Sequence, residues 1–108
     1  MQRLKVRYRK SASDDLTLIG FHLRNVGASP TVVRDYLSRI RETCHRIGDA
    51  PEGGRVREDL RPGLRMWTFE RRVVIFYIID GLGVRIVNVL SKGRDIEGFY
   101  ARPENPSE

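Results

Sequence analysis

The residues best suited to chemistry stand near the end of the chain, where Tyr100 follows Arg94 by six positions. An arginine can stabilise the charge that develops on a phosphodiester, and a phenol can move a proton to or from a reacting oxygen. Arg65, in an earlier segment, could hold a second phosphate oxygen. As catalytic residues, Arg65, Arg94 and Tyr100 would make a ribonuclease. A tyrosine with an ordinary pKa is a poor base at neutral pH, and either Arg94 or the adjacent Asp95 could simply cap the last element of the chain.

A cluster of arginines and aromatic residues lies between residues 55 and 72. Alternate residues of a strand share one side, so Arg65, Trp67 and Phe69 could place a guanidinium and two rings on one sheet face. The alternative is that both rings pack beneath helices while the arginines stay solvated. The residues expected to contact a partner are Arg57, Arg61, Arg65, Trp67, Phe69, Arg71 and Arg94.

The sequence predicts neither a metal site nor a cofactor. His22 and His45 are the only histidines and Cys44 is the only cysteine, so no set of ligands has the spacing of a metal site. No glycine-rich phosphate loop or nucleophile motif is present. Cys44 falls on the apolar side of a predicted helix, which indicates a small core residue.

Composition indicates one basic globular domain. The 108 residues are 40% hydrophobic, enough for a single core, and 20 lysines and arginines outweigh 14 acidic residues. Lysine occurs only at Lys5, Lys10 and Lys92, so arginine dominates the positive charge. Because the planar guanidinium suits phosphates and carboxylates, the partner is expected to be nucleic acid or an acidic protein surface.

The chain is expected to act in the cytoplasm and away from membranes. No segment approaches the roughly 20 apolar residues that a membrane helix needs. The first ten residues lack the apolar centre of a signal peptide, and a single cysteine forms no intramolecular disulfide.

Periodicity predicts a strand followed by two helices. Apolar and basic residues alternate over residues 3–9, which is typical of a half-buried strand. The first helix is expected to start at Ser11 or Ser13 and to stop at Gly27. The second is expected to begin with Ser29 as cap and Pro30 as first residue, giving an antiparallel helical hairpin.

The second half of the chain predicts a three-stranded antiparallel meander. A loop rich in proline and glycine spans residues 48–63, and β-rich runs follow at 64–69, 73–79 and 84–90. A short helical turn is expected near Asp95. The predicted fold is therefore α+β, with the helical hairpin packed on one face of the sheet. Residues 1–100 would form one domain and residues 101–108 a flexible polar tail.

Several short motifs appear in an order that resembles one protein family. They are Ser11-Ala12 with Asp14 to Leu16, Pro51 with Gly54 and Arg55, Arg61 to Arg65, Ile75 to Tyr77, and the segment VLSKGRDIEGFY at residues 89–100. Together they resemble the ParE branch of the RelE/ParE toxins over nearly the whole chain.

This resemblance implies a toxin that forms a hetero-oligomer with a co-encoded, ParD-like antitoxin. Many ParE toxins poison DNA gyrase, whereas RelE toxins cut messenger RNA in the ribosome. Val74 stands where RNA-cleaving relatives often carry arginine, and Ser91 stands where the family often has histidine. These two departures favour gyrase inhibition without catalysis. The alternatives are a ribosome-dependent endoribonuclease and a degenerate toxin kept for antitoxin binding.

Overall fold

The helical hairpin and the sheet form the main layers of the fold in the computed structural model, which describes residues 3–102. The elements are β1 (Val6–Tyr8), α1 (Lys10–Asn25), α2 (Pro30–Asp49), a short 3-10 helix (Pro51–Gly53), β2 (Arg55–Val56), β3 (Arg65–Phe69), β4 (Val73–Asp80), β5 (Gly83–Ser91) and α3 (Ile96–Ala101). Most of the expected tail lies outside the described residues, and its first residue, Ala101, closes α3. Between residues 3 and 102, no helix combines the length and apolarity required to cross a membrane.

The sheet has five strands in the order β1-β5-β4-β3-β2. β1 is parallel to β5, and the remaining neighbours are antiparallel. The α+β prediction with its meander is confirmed, and the apolar strand β4 lies at the centre as expected for a strand buried on both faces. The segment interpreted as a connecting loop contains β2, which pairs with β3 at one edge. Two residues are too few to leave a periodic signal in the sequence.

Each face of the sheet has its own core. The helical hairpin covers one face, where Leu16 and Ile40 pack with Ile75, Tyr77 and other side chains of the sheet. On the opposite face, Leu64 and Tyr100 pack against Phe76 and its neighbours, with further apolar side chains of α3 around them. The prediction of a hairpin on one face is correct, and α3 adds a smaller cover on the other.

The start of α1 differs from the prediction, whereas the start of α2 agrees with it. Ser29 accepts a hydrogen bond from the Val32 amide at 3.2 Å, and Pro30 is the first residue of α2. α1 begins at Lys10 without a side-chain cap. The prediction of a cap at Ser11 or Ser13 was wrong, because the Ser11 hydroxyl donates instead to the Val87 carbonyl of β5 at 2.7 Å.

The Tyr77 hydroxyl holds the loop after α2 against the sheet. It donates to the Pro51 carbonyl at 2.8 Å and accepts from the Gly54 amide at 3.0 Å. A Cβ atom on residue 54 would overlap this hydroxyl, so the position requires glycine. Arg65 adds hydrogen bonds to the Glu52 and Gly54 carbonyls at 3.2 and 3.1 Å. The proline, glycine and tyrosine of two separate sequence motifs therefore form one structural unit.

Tyr77→Phe should lower the free energy of unfolding by about 1–3 kcal/mol, because it leaves a buried amide and a carbonyl without their partner. Urea unfolding of the purified protein measures this change. Tyr36→Phe is the matched control, since the Tyr36 hydroxyl has no hydrogen-bond partner among residues 3–102. Equal stability of the two variants would contradict the structural role of the Tyr77 hydroxyl.

Candidate functional site

A groove of about 550 Å³ separates α1 from the exposed edge of β5. It exists because β1 pairs with β5 only as far as Ile86, after which the chain leaves the sheet and turns into α1. We call it the α1–β5 groove. α1 and the residue after it contribute an apolar wall, and the turn between β3 and β4 together with the segment after β5 contributes a basic wall. Its lining includes Leu18, Ile19, Leu23, Val26, Arg71, Arg72, Lys92 and Arg94.

Asp15 closes the floor of this groove. Its Oδ2 atom accepts hydrogen bonds from the Val89 amide and from the Asn88 side-chain nitrogen, both at 2.9 Å. A bulge in β5 makes this possible: the register changes between Phe76 and Tyr77, which redirects the backbone of β5 just before Asn88. A carboxylate from a helix thus occupies the position that a neighbouring strand would otherwise fill.

Asn88 continues the hydrogen bonds through the sheet to α3. The Tyr100 hydroxyl donates to Asn88 Oδ1 at 2.8 Å, and both side chains are buried. Burial raises the pKa of the Tyr100 hydroxyl above its usual range. Burial also raises the pKa of Asp15, and the hydrogen bonds from Asn88 and Val89 and the charge of Arg94 oppose that effect. A continuous polar path therefore joins the groove to the opposite face.

Two arginines flank the aromatic residues of α3. The guanidinium carbon of Arg61 lies 4.7 Å from the ring centroid of Tyr100, and that of Arg94 lies 4.8 Å from the ring centroid of Phe99. Asp95 caps the helix by accepting a hydrogen bond from the Gly98 amide at 3.0 Å. We call Arg61, Arg94, Phe99 and Tyr100 the α3 platform. Tyr100 is buried and supports Arg61 from below, while the partly exposed ring of Phe99 and the two guanidinium groups form the outer surface. Positive charge beside an aromatic ring suits an acidic protein partner.

The ribonuclease geometry is not formed. Arg65 lies on the face covered by the helical hairpin, where its guanidinium binds the loop carbonyls of Glu52 and Gly54. Tyr100 lies in the core of the other face, and its hydroxyl is bonded to Asn88. Alternation along β3 causes the separation, because it places Arg65 on the side of Tyr77. The sheet therefore stands between the first and last members of the proposed catalytic set.

The residues expected to contact a partner divide into separate regions. Phe69 is buried in the hairpin-side core, and Trp67 is half-buried against it, so the alternative of packing beneath the helices is correct for both rings. Arg57 is paired with Asp59 at 2.9 Å and is only 15% exposed. Arg71 lies in the groove, as does Arg94, which also belongs to the α3 platform. Arg65, Trp67 and Phe69 do share one face of the sheet, as predicted, but it is the face covered by the helical hairpin, so they do not line an open surface.

The histidines and the cysteine do not form a site together. His22 and His45 are exposed, and Cys44 is fully buried, as predicted for a core residue. Burial raises the pKa of the Cys44 thiol to about 11, which keeps it protonated at neutral pH. Within residues 3–102, no three histidine, cysteine or acidic side chains are grouped as a metal site requires.

Sequence reasoning missed the polar residues that connect α1, β5 and α3. Neither Asp15 nor Asn88 is among the candidate site residues that the sequence indicates. One signal was available: Asn88 is a lone amide in the apolar run of β5, and a buried amide requires partners. Which partners it finds depends on the packing of α1 and α3.

The comparisons with known proteins agree with this architecture. Residues 6–96 match the family model described as the ParE toxin of the type II toxin-antitoxin system parDE. A solved chain from the chromosomal ParDE toxin-antitoxin system of P. aeruginosa is similar in fold, with a TM-score of 0.71 and 21% sequence identity. The match covers 82% of this chain and 96% of that one. A search of curated proteins finds no match.

Asp15→Asn should change how stability depends on pH. Because the folded-state pKa of Asp15 is raised, its ionisation costs stability as the pH rises through that pKa. The free energy of unfolding of the unmodified protein, relative to the variant, should therefore be greatest at acidic pH and fall towards neutrality. Urea unfolding over a pH series measures it, with Asp14→Asn as the control for removing an exposed charge from α1. A difference that rises with pH would contradict this assignment.

Proposed function

The chain belongs to the ParE toxin family, and we propose that it binds DNA gyrase through the α3 platform while a ParD-like antitoxin neutralises it from the α1–β5 groove. It is a ParE-type toxin of a type II toxin-antitoxin system. Many members of this family poison DNA gyrase, which supports gyrase as the target. Binding to gyrase would take place in the cytoplasm, in the absence of any cofactor.

The observation that carries the gyrase proposal is the α3 platform. Arg61 and Arg94 cover two aromatic rings at a part of the sheet that the helical hairpin leaves free. Arginine and aromatic residues are enriched among the side chains that dominate protein interfaces. The platform also includes two of the arginines that the sequence assigned to partner binding.

Several features make the α1–β5 groove suitable for an acidic, apolar antitoxin segment. Its basic wall consists of exposed arginines and a lysine, and its apolar wall includes Leu18 and Val26, which are 60% and 67% exposed. An antitoxin segment there would pair its carboxylates with the cations and bury its apolar residues. Because Arg94 also forms part of the α3 platform, such a segment would cover one side of the gyrase-binding surface.

The ribonuclease alternative lacks support in the side-chain arrangement. Tyr100 would have to exchange a proton with RNA, yet its hydroxyl is buried, bonded to Asn88 and raised in pKa. Arg65 lies behind the sheet from it. Noncatalytic binding requires none of these groups to move.

Purified toxin should inhibit the supercoiling activity of DNA gyrase, and Arg94→Ala should raise the half-inhibitory concentration about tenfold, since one interface arginine contributes on the order of 1–2 kcal/mol. Arg34→Ala, which alters an exposed arginine on α2, is the matched control and should inhibit as the unmodified toxin does. Normal supercoiling in the presence of saturating, folded toxin would exclude gyrase as the target.

Tyr100→Phe keeps the ring that Arg61 contacts and removes only the buried hydroxyl. It should therefore retain toxicity and gyrase inhibition while losing about 1–3 kcal/mol of stability through the unpaired Asn88 side chain. Growth arrest on expression and urea unfolding of the purified variant measure the two effects. Tyr77→Phe controls for a similar loss of stability away from α3. Loss of toxicity in Tyr100→Phe alone, together with ribosome-dependent RNA cleavage by the unmodified toxin, would establish the endoribonuclease instead.

A further inference from the structure

Only some of the backbone groups along the edge of β5 beyond Ile86 form hydrogen bonds. The Val87 carbonyl accepts from Ser11 at 2.7 Å, and the Val89 amide donates to Asp15 at 2.9 Å. No strand of the described sheet lies beside these residues, because β1 pairs only with the first part of β5. The side chains of α1 therefore satisfy the first backbone groups after β1 ends, and the groove begins beyond them.

The next backbone groups that face the groove along this edge belong to Val89 and Ser91. The Lys92 amide donates to the Arg72 carbonyl at 2.9 Å, on the side of β5 that faces β4. Since successive residues of a strand point their backbone groups to opposite sides, the Val89 carbonyl and the Ser91 amide face the groove. The Ser91 carbonyl already accepts from the Arg94 amide at 3.1 Å in the turn that follows. The Val89 carbonyl and the Ser91 amide, two residues apart, are therefore the acceptor and the donor that remain on this edge.

This pattern selects the direction of an added strand. In a parallel pair, one residue of the new strand donates to the carbonyl of residue i and accepts from the amide of residue i+2. The Val89 carbonyl and the Ser91 amide meet that requirement. An antiparallel strand would reach the same two groups only through two of its residues, and the second group of each would face the Val89 amide or the Ser91 carbonyl, which Asp15 and Arg94 already occupy. A strand that runs in the same direction as β1 instead uses both groups of a single residue, so the parallel direction is favoured.

The charges around the groove indicate which side chains an added strand would carry. Arg71, Arg72 and Lys92 are exposed around the groove, and none of them forms an ion pair within residues 3–102. Asp15 is the only acidic residue in the groove lining, and its carboxylate is already bonded to β5. Carboxylates of the incoming segment would balance these cations, and its apolar residues would contact the exposed Leu18 of α1.

We propose that an acidic and apolar segment of the antitoxin adds to β5 as a short parallel strand, pairing with the Val89 carbonyl and the Ser91 amide. This rests on the proposed function, in which an antitoxin occupies the α1–β5 groove, and it specifies the main-chain contacts. Strand addition to an exposed sheet edge derives affinity from backbone hydrogen bonds and specificity from alternate side chains.

The test uses the full chain, labelled with nitrogen-15 and mixed with its co-encoded antitoxin. Amide exchange followed by NMR should show the Ser91 amide exchanging at least about tenfold more slowly in the complex than in the free toxin. Ser91→Pro removes this amide at a sheet edge, where proline is tolerated, and should weaken antitoxin binding about tenfold. Ser91→Ala keeps the amide, removes only the hydroxyl and should bind as the unmodified toxin does.

The outcomes separate this inference from the proposed function. A complex in which Ser91 exchanges as fast as in the free toxin, and which Ser91→Pro forms as tightly as Ser91→Ala, would overturn strand addition while leaving the antitoxin assignment in place. Absence of any complex would overturn the antitoxin assignment and the inference with it. If Ser91→Pro fails to fold, the exchange rate in the unmodified protein decides the question.

Discussion

The carboxylate of Asp15 replaces the strand that β5 lacks after Ile86. β1 ends at Tyr8, so the middle of β5 would expose unpaired backbone groups beside a hydrophobic core. Asp15 and Ser11 satisfy the first of them from α1, and Asn88 links Asp15 to the Tyr100 hydroxyl of α3. Side chains thus take the place of a strand along this edge. This arrangement fixes the position of α1, leaves the groove open and attaches α3 to the sheet.

The same constraint separates the two candidate partner surfaces and also places them side by side. The groove lies where β5 has no neighbour, and the α3 platform lies where the sheet has no helical hairpin. Arg94 belongs to both, since it lines the groove and stacks on Phe99. Under the proposed function, an antitoxin bound in one surface therefore blocks the other by occupancy, without a change of conformation.

Much of the arginine content is used within the molecule. Arg7 pairs with Asp80 at 2.8 and 2.9 Å and joins β1 to the turn between β4 and β5. Arg39 pairs with Glu70 and joins α2 to the turn between β3 and β4. Arg57 pairs with Asp59 beneath α3. The net positive charge therefore overstates the charge offered to partners.

The sequence by itself determined most of the elements and the family, whereas only the tertiary structure decided which residues meet. Alternation, helical spacing and turn residues are local, so the hairpin, the meander, the cap at Ser29 and the burial of Cys44 could be predicted. The family motifs were likewise readable, although their physical basis in the bonds of Tyr77 was not. The split of Arg65 from Tyr100, the burial of Phe69 and the joining of Asp15, Asn88 and Tyr100 were not predictable, because each depends on which face of the sheet a residue occupies and on contacts between distant segments.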